Sequence, residues 1–156
     1  MFAIISLKPK YAEAILTGQK KCEFRKVLFS RKVHILIIYA TRPVGRLVGW
    51  ASIEGMETGS PREIWDRTWR DAGITHDEFN NYYKGSSRAI CIHIRNVHRF
   101  ERPIDPRENG GGFTIPQSYR YLTDGDREFL STHIPCGFES DDDPILASID
   151  PYCLIE

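Results

Sequence analysis

A dense set of charged side chains occupies one short stretch near the start of the chain, TGQKKCEFRK at residues 17–26. The apolar alternation of this stretch predicts a β-strand, and strand parity puts Lys21, Glu23 and Arg25 on one face. Lys20 has the opposite parity, so it joins Glu23 only if the chain is still turning after the preceding glycine. The residue types therefore predict a charged cluster at the start of the domain.

The chemistry of this cluster suits a small polar ligand. Arg25 offers a planar fork for a phosphate or a base edge, and Lys20 offers a point charge. Glu23 can accept a hydrogen bond from an exocyclic amine such as that of cytosine. Lys20 and Glu23 can also move protons, so they are the predicted catalytic pair if the protein is an enzyme. The alternative is a solvated strand face with ion pairs worth about 0.2–1 kcal/mol each, and chemistry alone favours it.

Several aromatic residues are candidates for stacking on an unpaired base. Trp50, Tyr119 and Tyr121 are the three that the pattern allows. For Trp50 we favour packing in the core, as we do for Trp65 and Trp69 on a predicted helix. Tyr119 and Tyr121 lie in a polar segment and stay open as stacking candidates.

The histidines and cysteines show no spacing typical of metal ligands, so we predict no metal site and no cofactor. His34 and His93 lie within apolar strands and are interpreted as core residues. Cys22 and Cys91 also lie in strand-like runs, where a free thiol behaves as a small hydrophobic group. With no C-x-x-C pair among the four cysteines, we expect reduced thiols and an intracellular, cytoplasmic protein.

Composition limits the possible partners. The chain has 156 residues, enough for one domain, and 21 Lys and Arg balance 21 Asp and Glu. A protein that grips a long duplex through its phosphates usually has a basic excess, so a small ligand or a short single strand fits better. No apolar run reaches the roughly 20 residues of a membrane span, so we expect no membrane partner. The oligomeric state is left open.

The predicted elements are mainly strands with short helices between them. The pattern predicts strands at 2–8, 17–26, 33–40, 46–56 and 88–97. It predicts helices from Pro9, Ser60 and Thr75 that stop at Gly18, Gly73 and Gly85, and a last helix from Thr123 to about His133. This order favours a mainly β, α+β fold, a small closed or nearly closed β-barrel with covering helices. The alternative is an open mixed α+β sheet. We expect one domain at 1–133 and an acidic tail at 134–156, packed on it or trailing from it.

The pattern Gly18-x-Lys20-x-x-Glu23-x-Arg25 resembles the G-x-K-x-x-E-x-R signature of the ASCH domain family, within the PUA-like superfamily. The segments SLKPKYAEAILTGQKKCEFRK, IYATRPVGRLVG and PQSYRYL are similar to segments of bacterial stand-alone ASCH proteins. The resemblance covers roughly residues 3–122. It implies a β-barrel of about six strands with a cleft that the signature faces.

The resemblance also implies work on RNA or on modified nucleobases. We therefore expect Lys20, Glu23 and Arg25 to border one pocket with part of 115–121. From that second segment we expect three residues to bind the ligand: Gln117, Ser118 and Tyr119. The predicted function is binding of RNA, or of a nucleoside or nucleotide, in this charged cleft.

An enzyme is the alternative function. Some small ASCH proteins remove the acetyl group from N4-acetylcytidine with a lysine, a threonine and a glutamate, and another group is described as a ribonuclease. The lysine of that set matches Lys20, but the threonine falls on Glu23. Its glutamate falls near Ala72, beside Asp71. The alternative is thus a metal-independent hydrolase of an acylated nucleoside or of RNA, and a third interpretation is an interaction domain without a ligand.

Overall fold

A computed structural model describes residues 1–133 of the protein. The acidic run at 139–144, Cys136, Cys153 and the expected tail at 134–156 lie outside the described residues. The strands are Phe2–Leu7 (β1), Cys22–Arg25 (β2), Ile35–Ala40 (β3), Arg46–Gly59 (β4), Ala89–Ile104 (β5) and Tyr119–Tyr121 (β6). The α-helices are Pro9–Leu16 (α1), Pro61–Thr68 (α2), His76–Tyr83 (α3) and Asp124–Ser131 (α4). Short 3-10 helices lie at Trp69–Asp71 and Pro106–Asn109.

All six strands belong to one sheet in the order β2-β5-β4-β3-β1-β6. β1 and β3 run parallel, with Ile4 opposite Ile37, and the other neighbouring strands are antiparallel. The long strands β4 and β5 shift register at several points, and such irregularities increase the bend and twist of a sheet. The sheet is therefore strongly curled.

The curl brings the two ends of the sheet together. Arg25 in β2 donates a hydrogen bond of 3.0 Å from Nη1 to the hydroxyl of Ser118, the residue before β6. Its Nη2 donates to the carbonyl oxygen of Ser6 in β1 at 3.2 Å. A side chain thus bridges the two strands at opposite ends of the sheet order. This curled half-barrel with four short helices confirms the predicted α+β fold.

The core follows from the apolar runs. Every residue of β3 is buried, as its unbroken apolar sequence predicts for a central strand. Successive residues of β1 point to opposite faces of the sheet, so Ile4 and Ile5 enter two separate apolar clusters. A third cluster lies between β2, β5 and the α2–α3 pair, and includes Phe24 and Phe79. The α2–α3 pair is thereby fixed against β2.

Most predicted helix starts agree with the structure. The hydroxyls of Ser60, Thr75 and Thr123 each accept the backbone N–H three residues later, as capping residues do. The helix predicted from Thr123 to about His133 spans Asp124–Ser131. Within the described part of the chain, no helix is both long enough and apolar enough to cross a membrane.

Two core predictions are wrong. Trp69 has 52% of its surface exposed, because α2 ends at Thr68 and the following 3-10 turn points the ring outward. His34 is also exposed, since β3 begins only at Ile35, and its ring lies 3.0 Å from the terminal amino group of Met1. Both residues lie just outside the regular element to which the sequence pattern assigned them.

The other three residues that we assigned to the core, Trp50, Trp65 and His93, are at least partly buried. Trp50 is 6% exposed in the core, as favoured, which leaves its ring no room for a base. Trp65 packs partly buried against the third cluster and stacks on His76 at 4.6 Å between ring centroids. His93 is half-buried, and its Nε2 lies 2.6 Å from a carboxylate oxygen of Glu57.

Candidate functional site

The signature residues converge where the sheet ends meet. The chain is still turning after Gly18, whose φ is +80°, so Lys20 points inward before β2 begins at Cys22. Lys21, which shares strand parity with Glu23, is instead exposed. The cluster therefore contains Lys20, Glu23 and Arg25 and leaves Lys21 outside.

Lys20 is 2% exposed, which is unusual for a lysine. Its ammonium donates to the carbonyl oxygen of Ala72 at 2.7 Å and lies 4.8 Å from the ring centroid of Phe24. Burial lowers the pKa of Lys20 below its usual value, although the carboxylate of Glu23, 4.0 Å away, opposes that change. The ammonium is therefore held in place by the turn at Ala72 and by two side chains of β2.

Glu23 links the two cations. Its side chain is 8% exposed, and its Oε1 lies 3.0 Å from Nε of Arg25. That N–H does not point along a hydrogen bond to the carboxylate, so the contact is ionic, and among the described residues Nε has no hydrogen-bond partner. These buried charges contradict the solvated-face interpretation. A buried ion pair is weak evidence for stability, so function is the better reason for it.

A pocket of about 430 Å³ opens in front of these side chains. We call it the signature pocket, and the residues on which the argument relies are Tyr11, Lys20, Glu23, Arg25, Asn81 and Tyr82. Its far wall is α3. Tyr82 is 40% exposed, and Asn81 presents an amide beside it. This volume lies within the range of small-molecule sites.

A second pair of groups closes one side of the signature pocket. The hydroxyl of Tyr11 in α1 donates a short hydrogen bond to Glu78 in α3. Lys10 approaches the same carboxylate oxygen at 3.2 Å. The hydrogen bond from Tyr11 and the one from Lys10 keep the pKa of Glu78 below its usual value. This contact ties α1 to α3 across the pocket.

Gly73 allows the close approach that fixes Lys20. Its φ is +62°, and a Cβ placed there would lie 2.4 Å from Cβ of Lys20 and 2.8 Å from its Cα. A larger residue would push the turn away and separate the Ala72 carbonyl from the ammonium. The predicted helix stop at Gly73 therefore also serves the site.

The segment 115–121 meets the cluster at one residue. Ser118 accepts the hydrogen bond from Arg25, whereas Gln117 is exposed and does not line the signature pocket. The ring of Tyr119 packs edge-on against Phe29 with centroids 4.5 Å apart, outside the pocket lining. The ligand-binding roles of Gln117, Ser118 and Tyr119 stay predictions.

Tyr121 also lies away from this pocket. Its hydroxyl oxygen accepts a hydrogen bond of 3.0 Å from the backbone N–H of Arg31, and the Arg31 guanidinium lies over its ring. The position near Ala72 that would supply a catalytic glutamate holds no carboxylate in the pocket. Ala72 is buried and contributes only its carbonyl, and Asp71 is exposed.

Sequence reasoning missed three features of the site. The first is α3, whose Asn81 and Tyr82 face β2 only because of long-range packing. The second is the Ala72 carbonyl. The third is a group formed by Cys22, Cys91 and His93, whose ligand atoms lie within 4.8 Å of one another. The spacing C-x-H at 91–93, opposite a cysteine in a paired strand, was the signal available for the third.

A second and larger pocket, of about 830 Å³, lies elsewhere on the sheet. We call it the loop pocket, and its main polar lining comes from Tyr39, Arg42, Arg46 and Arg107. Arg107 is paired with Asp105 at 2.9 Å and Arg46 approaches the same carboxylate at 3.6 Å. The Arg107 side chain is 78% exposed and that of Arg46 is 35% exposed, so water solvates the charges of the loop pocket.

The fold and the signature agree with comparisons to known proteins. The ASCH domain family matches residues 5–104, and the chain belongs to this family. An ASCH domain-containing ribonuclease of Zymomonas mobilis is 35% identical over 124 residues, which cover 77% of this chain and 83% of that protein. The crystal structure of ASCH from Zymomonas mobilis superposes with a TM-score of 0.77 at 31% identity. That superposition covers 84% of this chain and 94% of the other.

A third relative is matched over part of its length. The large ribosomal subunit protein uL22 of Ureaplasma parvum is 27% identical over 106 residues. The match spans 67% of this chain and about one third, 34%, of that protein.

Proposed function

We propose that the protein binds single-stranded RNA through the signature pocket, which receives one base or nucleotide. The observation that carries this proposal is the convergence of three charged side chains on one pocket of nucleotide size: Lys20 and Glu23, which are buried, and Arg25, which is partly buried. The similarity to a protein named as a ribonuclease supports RNA as the polymer.

Each part of the pocket has a role in this binding. Arg25 lines the pocket with a side chain that is 14% exposed, and its planar guanidinium suits a phosphate or a base edge. Tyr82 presents a partly exposed ring on which a base can stack. Glu23 and Asn81 supply an acceptor and an amide for the polar edge of that base. Unpaired bases are usually recognised by stacking on aromatic rings and by hydrogen bonds to their polar edges.

The neutral net charge limits the electrostatic part of binding. Because the cations that line the pocket are few, namely Lys8, Lys20 and Arg25, the logarithm of the affinity should fall with a slope of about −1 to −2 against the logarithm of salt. A protein that follows a long backbone would show a much steeper slope. The expected ligand is thus a short single strand rather than a duplex.

The test is a titration of a fluorescent single-stranded RNA octamer with the full chain at low salt, beside DNA of the same sequence and a duplex. Arg25→Gln should weaken RNA binding by about 10- to 100-fold, because charged hydrogen bonds are lost. The matched control is Arg95→Gln, which removes an equal charge from an exposed strand position. Equal affinity of the wild type and Arg25→Gln for RNA, or no RNA binding at all, would reject the proposal.

Cleavage of RNA is a second candidate, favoured by the relative named as a ribonuclease. In this version Lys20 and Arg25 would stabilise charge on the phosphate, and Glu23 would accept the proton of the attacking hydroxyl. The test follows the length of a labelled single strand over time, with and without added divalent cations. Turnover that is absent from Glu23→Gln, while its RNA affinity persists, would support the candidate. Turnover unaffected by Glu23→Gln would remove it.

Deacylation of N4-acetylcytidine is the other hydrolase alternative, and the pocket supports it less. Glu23 stands where the threonine of those enzymes falls, and its carboxylate is engaged by two cations. The position that would hold their glutamate supplies only a backbone carbonyl. Incubation with N4-acetylcytidine should leave it intact, and release of acetate by the wild type would reverse this preference.

A further inference from the structure

Two paired strands, β2 and β5, bring soft metal-ligand side chains together behind the signature. Cys22 in β2 lies opposite His93 in β5, and Cys91 lies two residues before His93 on the same face. The Sγ atoms of Cys22 and Cys91 each lie 3.9 Å from Nδ1 of His93. All three ligand atoms lie within 4.8 Å of one another, and neither cysteine is in a disulfide.

The second ring nitrogen of this histidine is held by a carboxylate. Nε2 of His93 lies 2.6 Å from Oε2 of Glu57 in β4. Glu57 also accepts a hydrogen bond from Arg67 in α2 at 3.2 Å. A carboxylate behind a ligating histidine fixes the ring and its tautomer, and it leaves the other nitrogen free for a metal. Here Nδ1 lies 3.9 Å from both sulfurs, and Nε2, which Glu57 holds, lies 3.7 Å from the sulfur of Cys91 only.

We propose that Cys22, Cys91 and His93 bind a zinc ion, with Glu57 orienting the imidazole. Two thiolates and one imidazole are ligands that zinc prefers, and both thiols lose their protons to solvent on binding. With bonds of about 2.3 Å to sulfur and about 2.0 Å to nitrogen, a tetrahedral ion separates its ligands by about 3.5–3.8 Å. The observed 3.9 Å therefore needs only small rotations of side chains.

A disulfide is the competing explanation for the paired sulfurs, and the strand register opposes it. Cys91 lies opposite Phe24, so Cys22 and Cys91 are diagonal rather than direct partners. Diagonal neighbours on antiparallel strands are about 7–8 Å apart, beyond the usual Cα separation of a disulfide. A metal ion bridges such a gap without moving the backbone.

The site has an entry path and a structural consequence. Both cysteines are fully buried, but the side chains of His93 and Glu57 are 32% and 30% exposed, so an ion can enter from their side. Three protein ligands leave one coordination position for water. Bound zinc would join β2, a strand of four residues, to β5, directly behind Glu23. The inference does not depend on RNA binding.

The test uses the full chain, reduced and freed of metal, titrated with Co²⁺ and then with Zn²⁺. We expect one equivalent of Co²⁺ to give the visible and near-ultraviolet bands of tetrahedral thiolate coordination, and Zn²⁺ to abolish them. Cys22→Ser and Cys91→Ser should each lose the bands. A Cys136→Ser, Cys153→Ser double variant should keep them, because those cysteines belong to the tail.

A second measurement protects the test against variants that fail to fold. In the wild-type chain, zinc should shield two thiols from alkylation, and peptide mapping should assign them to Cys22 and Cys91. Glu57→Gln should bind zinc about 10- to 100-fold more weakly. Its matched control is Glu63→Gln, which also meets Arg67 but does not contact His93.

Three results would overturn the proposal. One is the absence of thiolate bands in the reduced wild-type chain. Another is bands that survive in a folded Cys22→Ser, Cys91→Ser double variant. The third is a disulfide between these two cysteines in the purified protein, detected as a linked peptide by mass spectrometry.

Discussion

The signature pocket and the loop pocket hold their charges in opposite ways. In the signature pocket, Lys20 and Glu23 are 2% and 6% exposed, and they are fixed by contacts from several elements. In the loop pocket, which has about twice the volume, the Arg107 side chain is 78% exposed. The larger cavity is therefore lined by charges that water already solvates.

This difference shows that volume alone does not locate a binding site. Desolvating a charge is expensive, and a fold retains buried charges only where something else requires them. The solvated arginines of the loop pocket need no such reason. We therefore propose that ligand recognition occurs in the smaller pocket, and the following experiments test that preference.

The largest expected effect comes from two glycines with nearly the same backbone conformation, one behind Lys20 of the signature pocket and one in the loop pocket. Gly73 has φ +62° and Gly45 has φ +60°. An added Cβ would overlap Lys20 in the first case, but in the second it would meet only the Tyr39 hydroxyl at 3.7 Å. Gly73→Ala should lower the free energy of unfolding by about 2–5 kcal/mol, and Gly45→Ala by about 1–2 kcal/mol.

Urea unfolding measures both variants of that pair. The same samples, while folded, should show weaker RNA binding for Gly73→Ala only, because the Ala72 carbonyl no longer holds Lys20. Equal losses of stability in the two variants would mean that the turn is not packed against Lys20 as described.

Two tyrosines test where the base stacks. Tyr82 lines the signature pocket, whereas the ring of Tyr119 packs on Phe29. Tyr82→Ala should reduce RNA affinity by about 5- to 30-fold, the typical loss for one stacked base, and Tyr119→Ala by less than about 2-fold. Fluorescence anisotropy with the same octamer measures both. A larger loss for Tyr119→Ala would move the stacking surface to β6.

A smaller effect is expected from the loop pocket itself. Arg107→Gln removes an exposed charge that Asp105 already neutralises in part. RNA affinity should change by less than about 2-fold, and the salt slope by less than one phosphate contact. A tenfold loss in this variant would place the RNA at the loop pocket instead.

The smallest expected effect concerns the protonation of Asp105, which should not change RNA binding. The hydrogen bonds from Arg107 lower the pKa of Asp105 to about 2. Because this pKa is below the ordinary aspartate value, the pair stabilises the fold above about pH 4, and that contribution disappears as the pH falls through about 2. Carboxyl NMR should give this midpoint, and Arg107→Gln should raise it. A midpoint near 4 in the wild type would contradict the pairing.

The sequence predicted those parts of the molecule that depend on local patterns. The apolar run of β3, the caps at Ser60 and Thr75, and the glycine stops follow from neighbouring residues alone. The signature predicted that Lys20, Glu23 and Arg25 act together, and they do line one pocket. Strand parity misassigned Lys21, because the turn after Gly18 resets the register.

What the sequence could not predict is set by contacts between distant residues. The α3 wall meets β2 because Phe79 packs on Phe24, 55 positions away. The Cys22, Cys91 and His93 group forms only through pairing of β2 with β5. Trp69 is exposed because α2 ends at Thr68, several residues before the predicted stop at Gly73.

Photochemical cross-linking of RNA tests the central claim most directly. A single-stranded octamer that carries 4-thiouridine is irradiated with the full chain, and the linked peptides are identified by mass spectrometry. The account predicts cross-links in α3 at Tyr82 and in α1 at Tyr11, both of which line the signature pocket. Cross-links confined to residues 42–46 and 106–115, around the loop pocket, would contradict it.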